Sequence, residues 1–380
     1  MGKEVDERNS KNTIDPTNTT LGDKKIKILG IGFRELKFFI IIFWMIGYCI
    51  RHWINPAVLS RINPPLPSGG KSQSSKKYNY DYFTKDNIIT KSYYAKCVAI
   101  PKEANFSEIK KILSIFDKNI IVLKPDKGAR SIGVKVTTTD DERIQLLNVR
   151  KNNEYIAQEY IPYQHELGVY YYRYPNQNQG NILGIAEKKF DMIIGNGKSS
   201  LKQLLKNITI TKAIQTQLLY SYKTLKYIPH NGEKILLANT VDHSDDGDYY
   251  NRPDLITPDV EKIFNKIIGN KEIYFCRFDI RAKDLYEFTK GKEFKILEIN
   301  TGPNAVFLHA FDPRYTKRKQ LQICFNEYKK AFKIAQMLKN TPRRKLIPYI
   351  WFTIEDEIPL FFLRHRIEKL EKNTRTKNKF

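Results

Sequence analysis

The sequence predicts a mixed α+β fold. From about Tyr78 onward, segments with apolar residues at every second position, typical of strands, are mixed with segments of helical periodicity. The first 75 residues show no alternation of strand and helix patterns, and the sequence contains no internal repeat. With 380 residues, of which 41% are apolar, the chain is long enough for two or three domains with a buried core.

The local patterns predict each element in order. A buried apolar run that ends in Pro125 predicts the first strand, and period-two alternation predicts the later strands. Amphipathic runs predict the helices, the first of them with Ser107 as its N-cap. The predicted helices cover residues 107–116, 140–149, 199–205, 258–268 and 320–338. The predicted strands cover residues 119–124, 155–160, 166–174, 181–189, 277–281 and 296–300.

The two ends of the chain differ from its middle. Residues 1–24 are polar and rich in turn-forming residues, which predicts a disordered tail. The apolar segment 38–50 is too short to span a bilayer, which needs about 20 residues. It is therefore either a buried helix or an interfacial segment with Trp44 and Trp53 at the headgroup level. The aromatic and basic segment 346–363 either joins it in a membrane-facing patch or packs on it as a terminal core.

Composition narrows the class of protein. The formal net charge of +24 favours anionic partners, and by itself does not choose among nucleotides, nucleic acid and an acidic membrane surface. The four cysteines have no paired spacing, which argues against a zinc ribbon or a disulfide scaffold and favours a reducing compartment. We predict four parts, namely a tail (1–24), an N-terminal apolar and Pro/Gly segment (25–77), a main domain (78–340) and a C-terminal segment (341–380).

Two short strands carry the most informative polar residues. Residues two apart in a strand share a face, so Arg277 and Asp279 project together from one strand, and Glu298 and Asn300 from the other. If the strands pair, two carboxylates lie on one surface, where they repel by roughly 4 kcal/mol at ~4 Å and an effective dielectric near 20. An all-oxygen set of this kind suits Mg²⁺, which usually arrives with substrate phosphates. The alternative is a solvated sheet face with ordinary ion pairs.

Three other segments have the residue types of a nucleotide site. Lys124 is followed by a loop with small residues, including Ser131, whose backbone N–H groups could converge on phosphate oxygens; a basic hairpin turn is the alternative. A strand, a turn and a second strand carry residues 159–161 and Glu166, which could supply an apolar slot for a base and a carboxylate for a ribose. Lys198 lies at a predicted helix start, where anions are favoured; an ordinary start capped by Ser199 is the alternative.

In order along the chain, these pieces resemble the ATP-grasp superfamily, and D-alanine–D-alanine ligases and related enzymes within it. The resemblance implies an ATP-grasp fold, in which two α+β subdomains grip ATP, with an atypical N-terminal segment. It implies that Lys124 binds the nucleotide phosphates. It also implies that Glu159, Tyr160 and Ile161 line the adenine and that Glu166 holds the ribose.

The same resemblance assigns the remaining residues. It implies that Asp279, Glu298 and Asn300 bind Mg²⁺, for which Mn²⁺ could substitute. It implies that Arg277 steadies the transferred phosphate and the tetrahedral intermediate. The segment around Lys198 resembles the Gly-Asp-Gly helix start of cyanophycin-synthetase-like ligases.

The activity implied is ATP-dependent ligation of a carboxylate to an amine through an acyl phosphate, with small-molecule or peptide substrates and a cytoplasmic location. The alternatives are a non-catalytic nucleotide-binding protein on a membrane or nucleic acid, and a strict D-alanine–D-alanine ligase. The chain departs from the family because it lacks the usual N-terminal Rossmann-like pattern. Lys77 is a loose match to an upstream ATP-binding lysine, so Lys77, Lys188 and Lys198 are alternatives for completing the phosphate site. An anionic membrane surface is a further candidate partner, whereas nucleic acid is not expected.

Overall fold

The computed structural model describes residues 33–70, 75–85, 88–116, 120–128, 133–149, 154–189, 192–206, 224–236, 248–302 and 307–343. The chain divides into two compact units. Unit one comprises residues 1–40 and 190–239, and unit two comprises residues 41–189 and 240–380. The tail and the aromatic C-terminal segment that the sequence singles out lie outside the described residues.

Helices and antiparallel strands are interspersed along the chain, which confirms the α+β class. The described helices are α1 (Phe33–Arg51), α2 (Lys76–Thr84), α3 (Ile88–Tyr93), α4 (Phe106–Leu113), α5 (Asp140–Val149), α6 (Leu201–Leu204), α7 (Pro258–Ile268), α8 (Leu285–Thr289) and α9 (Lys317–Met337). The described strands are β1 (Cys97–Ile100), β2 (Ile121–Pro125), β3 (Lys135–Thr137), β4 (Tyr155–Glu159), β5 (His165–Tyr172), β6 (Asn181–Lys189), β7 (Met192–Ile194), β8 (Lys234–Leu236), β9 (Asp248–Asn251), β10 (Phe275–Ala282) and β11 (Phe294–Thr301). None of the helices that the structure describes is long and apolar enough to cross a bilayer.

The larger sheet of unit two has five antiparallel strands in the order β11-β10-β5-β6-β9. One face is covered by α7, whose Phe264 packs on Phe278 of β10 and Phe294 of β11. On β10 the buried side chains Phe278 and Ile280 alternate with partly exposed polar ones. The polar side chains of β10 therefore project from the face opposite to α7, as the period-two pattern predicts.

The smaller sheet of unit two has four antiparallel strands in the order β1-β4-β2-β3. Its apolar face packs on α4, and Leu123 lies at the centre of this second core. The predicted cap Ser107 is wrong. Asn105 caps α4, because its Oδ1 accepts the N–H of Glu108 at 3.0 Å while the Glu108 carboxylate accepts the N–H of Asn105 at 2.8 Å. This reciprocal pair satisfies two N–H groups that would otherwise lack partners.

The N-terminal segment is anchored to the larger sheet by a fully buried asparagine. Asn63 Nδ2 donates to the carbonyl oxygens of Phe275 at 2.9 Å and Gly69 at 3.1 Å, while its Oδ1 accepts the N–H of Tyr274 at 2.8 Å. Gly70 has a φ of +82°, and a Cβ on it would lie 2.1 Å from Thr301 Oγ1. The Pro/Gly loop thus packs against the end of β11, in a contact that only glycine permits.

Unit one contains an antiparallel pair, β7 with β8, and the short helix α6. The cap of α6 is Ser200 rather than Ser199. The Ser200 side chain accepts the N–H of Gln203, and the Gln203 side chain accepts the N–H of Ser200 at 2.8 Å. The predicted helix therefore begins later than its polar pattern indicates.

Candidate active site

The register of two strands brings four polar side chains to one face of the larger sheet. In the antiparallel pairing of β10 with β11, Arg277 lies opposite Asn300 and Asp279 lies opposite Glu298. Directly opposed residues have Cβ atoms about 5 Å apart. The four residues that sequence reasoning selected are therefore neighbours in space. A β-bulge follows Asp279, where the register of the pairing shifts.

Asp279 is the centre of the hydrogen bonds in this group. Arg277 donates from Nε to Asp279 Oδ1 at 2.6 Å and from Nη2 to Asp279 Oδ2 at 2.9 Å. Asn300 Nδ2 donates to Asp279 Oδ2 at 2.6 Å. Burial raises the pKa of Asp279, Arg277 opposes the rise, and the nearby Glu298 adds to it. A carboxylate in this position has much to gain from an additional cation.

Two lysines supply positive charge beside Glu298. Lys76 Nζ lies 4.0 Å from Glu298 Oε1 and donates to the Gly128 carbonyl at 2.9 Å. Lys124, which is buried at the end of β2, directs its Nζ to the Leu297 carbonyl at 3.5 Å. Helix α2 and strand β2 thereby each direct an ammonium group to β11.

The charges set the ionisation of this cluster. Burial raises the pKa of Glu298, but Lys76, Lys124 and Arg277 together outweigh it, so the pKa of Glu298 lies below its ordinary value. Burial lowers the pKa of Lys124, and Glu298 partly offsets this effect. Glu298 is therefore a carboxylate at neutral pH and can accept a metal ion without first losing a proton.

Sequence reasoning named Lys77 and missed Lys76. Lys77 Nζ donates to the Asp81 carboxylate at 2.6 Å, one helical turn further along α2. Ser75 caps α2, which makes Lys76 its first residue, and the N–H of Lys77 donates to Asp126 Oδ1 at 2.8 Å. The structure therefore places Lys76 at the site and directs Lys77 to another partner. Ser75 is a good helix-capping residue directly before the two lysines, and this was the sequence signal that the helix begins at Lys76.

Glu166 shares the face that carries Asp279. It lies on β5 between Arg281 of β10 and Lys188 of β6, which are its direct cross-strand neighbours. Arg281 Nη2 lies 3.2 Å from Glu166 Oε2, and Lys188 Nζ lies 3.9 Å from Glu166 Oε1. Two cations thus hold the carboxylate in place.

Residues 159–161 lie at the end of β4, an inner strand of the smaller sheet. Glu159 ends β4, and its Oε2 accepts the N–H of Lys96 at 3.2 Å. Tyr160 is half-buried and Ile161 is buried. Upstream on β4, Gln158 Nε2 donates to the Leu297 carbonyl at 2.9 Å, so that strand also meets β11.

The remaining predicted site residues are Lys198 and Ser131. Lys198 belongs to unit one, where its side chain is exposed. Asn196 Oδ1 accepts the N–H groups of Lys198 at 3.0 Å and Ser199 at 2.7 Å, which closes a local turn. Ser131 lies outside the described residues.

The donor set fits a hard divalent cation. Asp279 and Glu298 offer carboxylate oxygens, and Asn300 offers an amide oxygen. Within the described ranges, no group of three Asp, Glu, His or Cys side chains could hold a metal ion. A set of two carboxylates and one amide is incomplete by itself, which suits an ion that takes further oxygens from phosphates and water.

No family model matches the sequence. The chain is 23% identical over 288 residues to the glutathione biosynthesis bifunctional protein GshAB of Clostridium perfringens. The match covers 67% of this chain and 36% of the relative, so the chain spans about a third of that protein's length. This similarity confirms the resemblance to ATP-grasp proteins that the ordered motifs predict.

Two solved structures are also similar to this chain at low identity. A bifunctional glutathione synthetase from Pasteurella multocida has a TM-score of 0.38 and 15% identity, with 68% of this chain and 37% of that chain covered. A D-alanine–D-alanine ligase from Bacillus anthracis has a TM-score of 0.38 and 15% identity, with 69% and 68% covered.

Proposed function

We propose that the protein is an ATP- and magnesium-dependent ligase that joins a carboxylate to an amine through an acyl phosphate. The observation that carries the proposal is the cross-strand group formed by Arg277, Asp279, Glu298 and Asn300. The group is more than a single ion pair, since two partly buried carboxylates share one face with an amide and a guanidinium. The similarity to a glutathione biosynthesis protein supports the same class of reaction.

The phosphate tail of ATP needs cations from several directions. Lys76 and Lys124 would bind its oxygens from the side of the smaller sheet, and Arg277 would bind the transferred phosphate. Asp279, Glu298 and Asn300 would hold Mg²⁺ or Mn²⁺, which supplies charge neutralisation at the phosphate oxygens when it is bound. In this proposal Lys76 takes the role that sequence reasoning gave to Lys77.

The base and the ribose would be bound near the end of β4 and the start of β5. Tyr160 and Ile161 would line the adenine, with Glu159 beside them. Glu166 would accept hydrogen bonds from the ribose hydroxyls, because Arg281 and Lys188 fix its carboxylate. Ser131 and Lys198 stay predictions for the phosphate loop and for the substrate, respectively.

The reaction proceeds in two displacements. A substrate carboxylate oxygen attacks the γ-phosphorus, which forms an acyl phosphate and releases ADP. The amine nitrogen then attacks the acyl carbon, expels inorganic phosphate and loses a proton to form the amide. The protein contributes by positioning the reactants and by neutralising charge that develops on the phosphate and on the tetrahedral carbon, mainly through Arg277.

The test is ADP release with Mg-ATP and pools of carboxylic acids and amines, followed by product identification by mass. Asp279→Asn combined with Glu298→Gln should abolish ADP release and leave the fold intact. The matched control changes Asp259→Asn with Glu103→Gln, two exposed carboxylates outside the site. D-alanine supplied alone tests the strict D-alanine–D-alanine ligase.

Two results would overturn the proposal. Turnover in the Asp279/Glu298 double variant at the wild-type rate would remove the metal site. Binding of Mg-ATP without ADP release in any acceptor pool would instead favour a nucleotide-binding protein without catalysis.

A further inference from the structure

Within unit two, residues 41–51 of α1 pack on α9. Its Trp44 stacks on Phe325 of α9, with ring centres 4.4 Å apart, and Tyr48 lies 5.4 Å from Phe332 of the same helix. Cys49 of α1 is also buried on this side. The contacts leave the other side of the helix without cover from α9.

The uncovered side of α1 is apolar. Phe43 is 70% exposed, Ile46 is 47% exposed, Ile50 is 70% exposed, and Trp53 beyond the helix end is 97% exposed. Spacings of three and four residues place the first three side chains in one stripe along the helix. Gly47 lies in the same stripe, with no described atom within 4 Å of its Cβ position. We call the side chains of Phe43, Ile46, Ile50 and Trp53 together the apolar stripe.

Positive charge lies beside Trp44, the residue that follows Phe43 on α1. Lys329 and Lys333 of α9 are exposed, and Lys329 Nζ lies 6.0 Å from the ring centre of Trp44. The sequence of α9 contains six basic residues and a single acidic one, Glu327. That carboxylate is buried and is paired with Lys330 at 3.1 Å. The exposed charge of α9, the helix on which α1 packs, is therefore basic.

We propose that the apolar stripe and the adjacent basic face of α9 dock onto an anionic lipid bilayer. A stripe of large apolar and aromatic side chains with flanking lysines fits the boundary between headgroups and acyl chains. The exposed Trp53 at the helix end suits the headgroup level, where tryptophan is enriched. The net charge of +24 and the lysines of α9 complement anionic headgroups.

The bilayer is a better match than a protein partner on two grounds. The stripe stands on the outward curve of a single helix, which acyl chains can surround without a preformed groove. In addition, the exposed charge of α9 is basic, which complements anionic headgroups. The proposal is independent of the ligase chemistry and uses none of the active-site residues.

Flotation of the full chain with vesicles tests the proposal. Equal parts of phosphatidylcholine and phosphatidylglycerol form the anionic vesicles, and phosphatidylcholine alone forms the neutral ones. The wild type should float with the anionic vesicles, and added salt should weaken the binding. Lys329→Gln with Lys333→Gln should reduce affinity by roughly 30-fold, at about fivefold for each lysine near the surface.

The stripe itself is tested by Phe43→Ser, Ile50→Ser and Trp53→Ser together, which should lower affinity by at least about 100-fold because three large apolar groups no longer enter the lipid. The matched control is Ile88→Ser, an exposed isoleucine on α3. Quenching of tryptophan fluorescence by brominated lipid should occur in the wild type and fall sharply in Trp53→Ser alone. Unchanged thermal unfolding of each variant establishes that it is folded.

Three outcomes would overturn the proposal. The first is vesicle binding that the triple stripe variant retains. The second is equal binding to neutral and anionic vesicles. The third is a concentration-dependent dimer in light scattering that the triple variant abolishes, with no vesicle binding by the wild type, since a second copy would then cover the stripe.

Discussion

The adjacent residues Lys76 and Lys77 allow a sharp test of the site. Each is replaced by methionine, which keeps the apolar stem and removes the charge. Lys76→Met should weaken ATP binding strongly, because its ammonium faces Glu298 and the loop carbonyl of Gly128. Lys77→Met should have little effect, because its ammonium is already paired with Asp81.

The expected magnitude follows from the distances and the exposure. The charges of Lys76 and Glu298, which lie 4.0 Å apart, attract each other by about 4 kcal/mol at an effective dielectric near 20. Only 10% of the Lys76 side chain is exposed, so screening by solvent is modest. A hydrogen bond between the Lys76 ammonium and a phosphate oxygen of ATP would contribute about 1.5–3 kcal/mol. Its loss in Lys76→Met should therefore lower the affinity for ATP by roughly 10- to 150-fold. The Lys77–Asp81 pair is more exposed and contributes about 0–1 kcal/mol to stability.

Two measurements separate the variants. The KM for ATP comes from ADP release, and the Kd for Mg-ATP comes from calorimetry. Lys76→Met should also raise the pKa of Glu298, because one of the cations that hold it down is gone. A large loss of affinity in Lys77→Met, with Lys76→Met close to the wild type, would refute the assignment of the two side chains.

Two further predictions concern stability. Gly70→Ala should lower the free energy of unfolding by about 3 kcal/mol, because its φ of +82° and its contact with Thr301 both oppose a Cβ. The control Gly232→Ala should lower it by only about 1 kcal/mol, because Gly232 has the same φ but no described atom within 4 Å. Equal losses of the two variants in urea unfolding would contradict the role of the Thr301 contact. Burial lowers the pKa of His309 from 6.5 to about 4. Because the unfolded chain therefore takes up this proton at a higher pH than the folded chain, the free energy of unfolding should fall by about 3 kcal/mol as the pH drops from 6.5 to 4. His309→Gln should flatten that part of the curve, and an unchanged slope would contradict the prediction.

Much of the cross-strand polar group is predictable because it depends on local rules. The alternation of apolar and polar residues in β10 and β11 indicates which side chains share a face, and the structure places Asp279 opposite Glu298. The register itself comes from packing of the buried face, where Phe278 meets α7. A shift of one residue would have turned the carboxylates into the core.

The errors also have local causes. Ser107 and Ser199 are good capping residues by type, but Asn105 and Ser200 take those positions because each forms a reciprocal pair three residues along. The proposed exchange of Lys77 for Lys76 has a related reason. Successive helical side chains point about 100° apart, so the first residue of α2 decides which lysine, Lys76 or Lys77, faces Glu298.

The amino-acid sequence alone determined the fold class, the polar face of the central strands and the chemistry of its oxygen donors, since these follow from residue type and from periods of two and 3.6. The tertiary structure decided which cations meet those donors. Lys76 and Lys124 reach β11 from segments more than 150 residues away along the chain. Such contacts depend on how two sheets pack, and packing is a property of the whole buried core that no short stretch of sequence encodes.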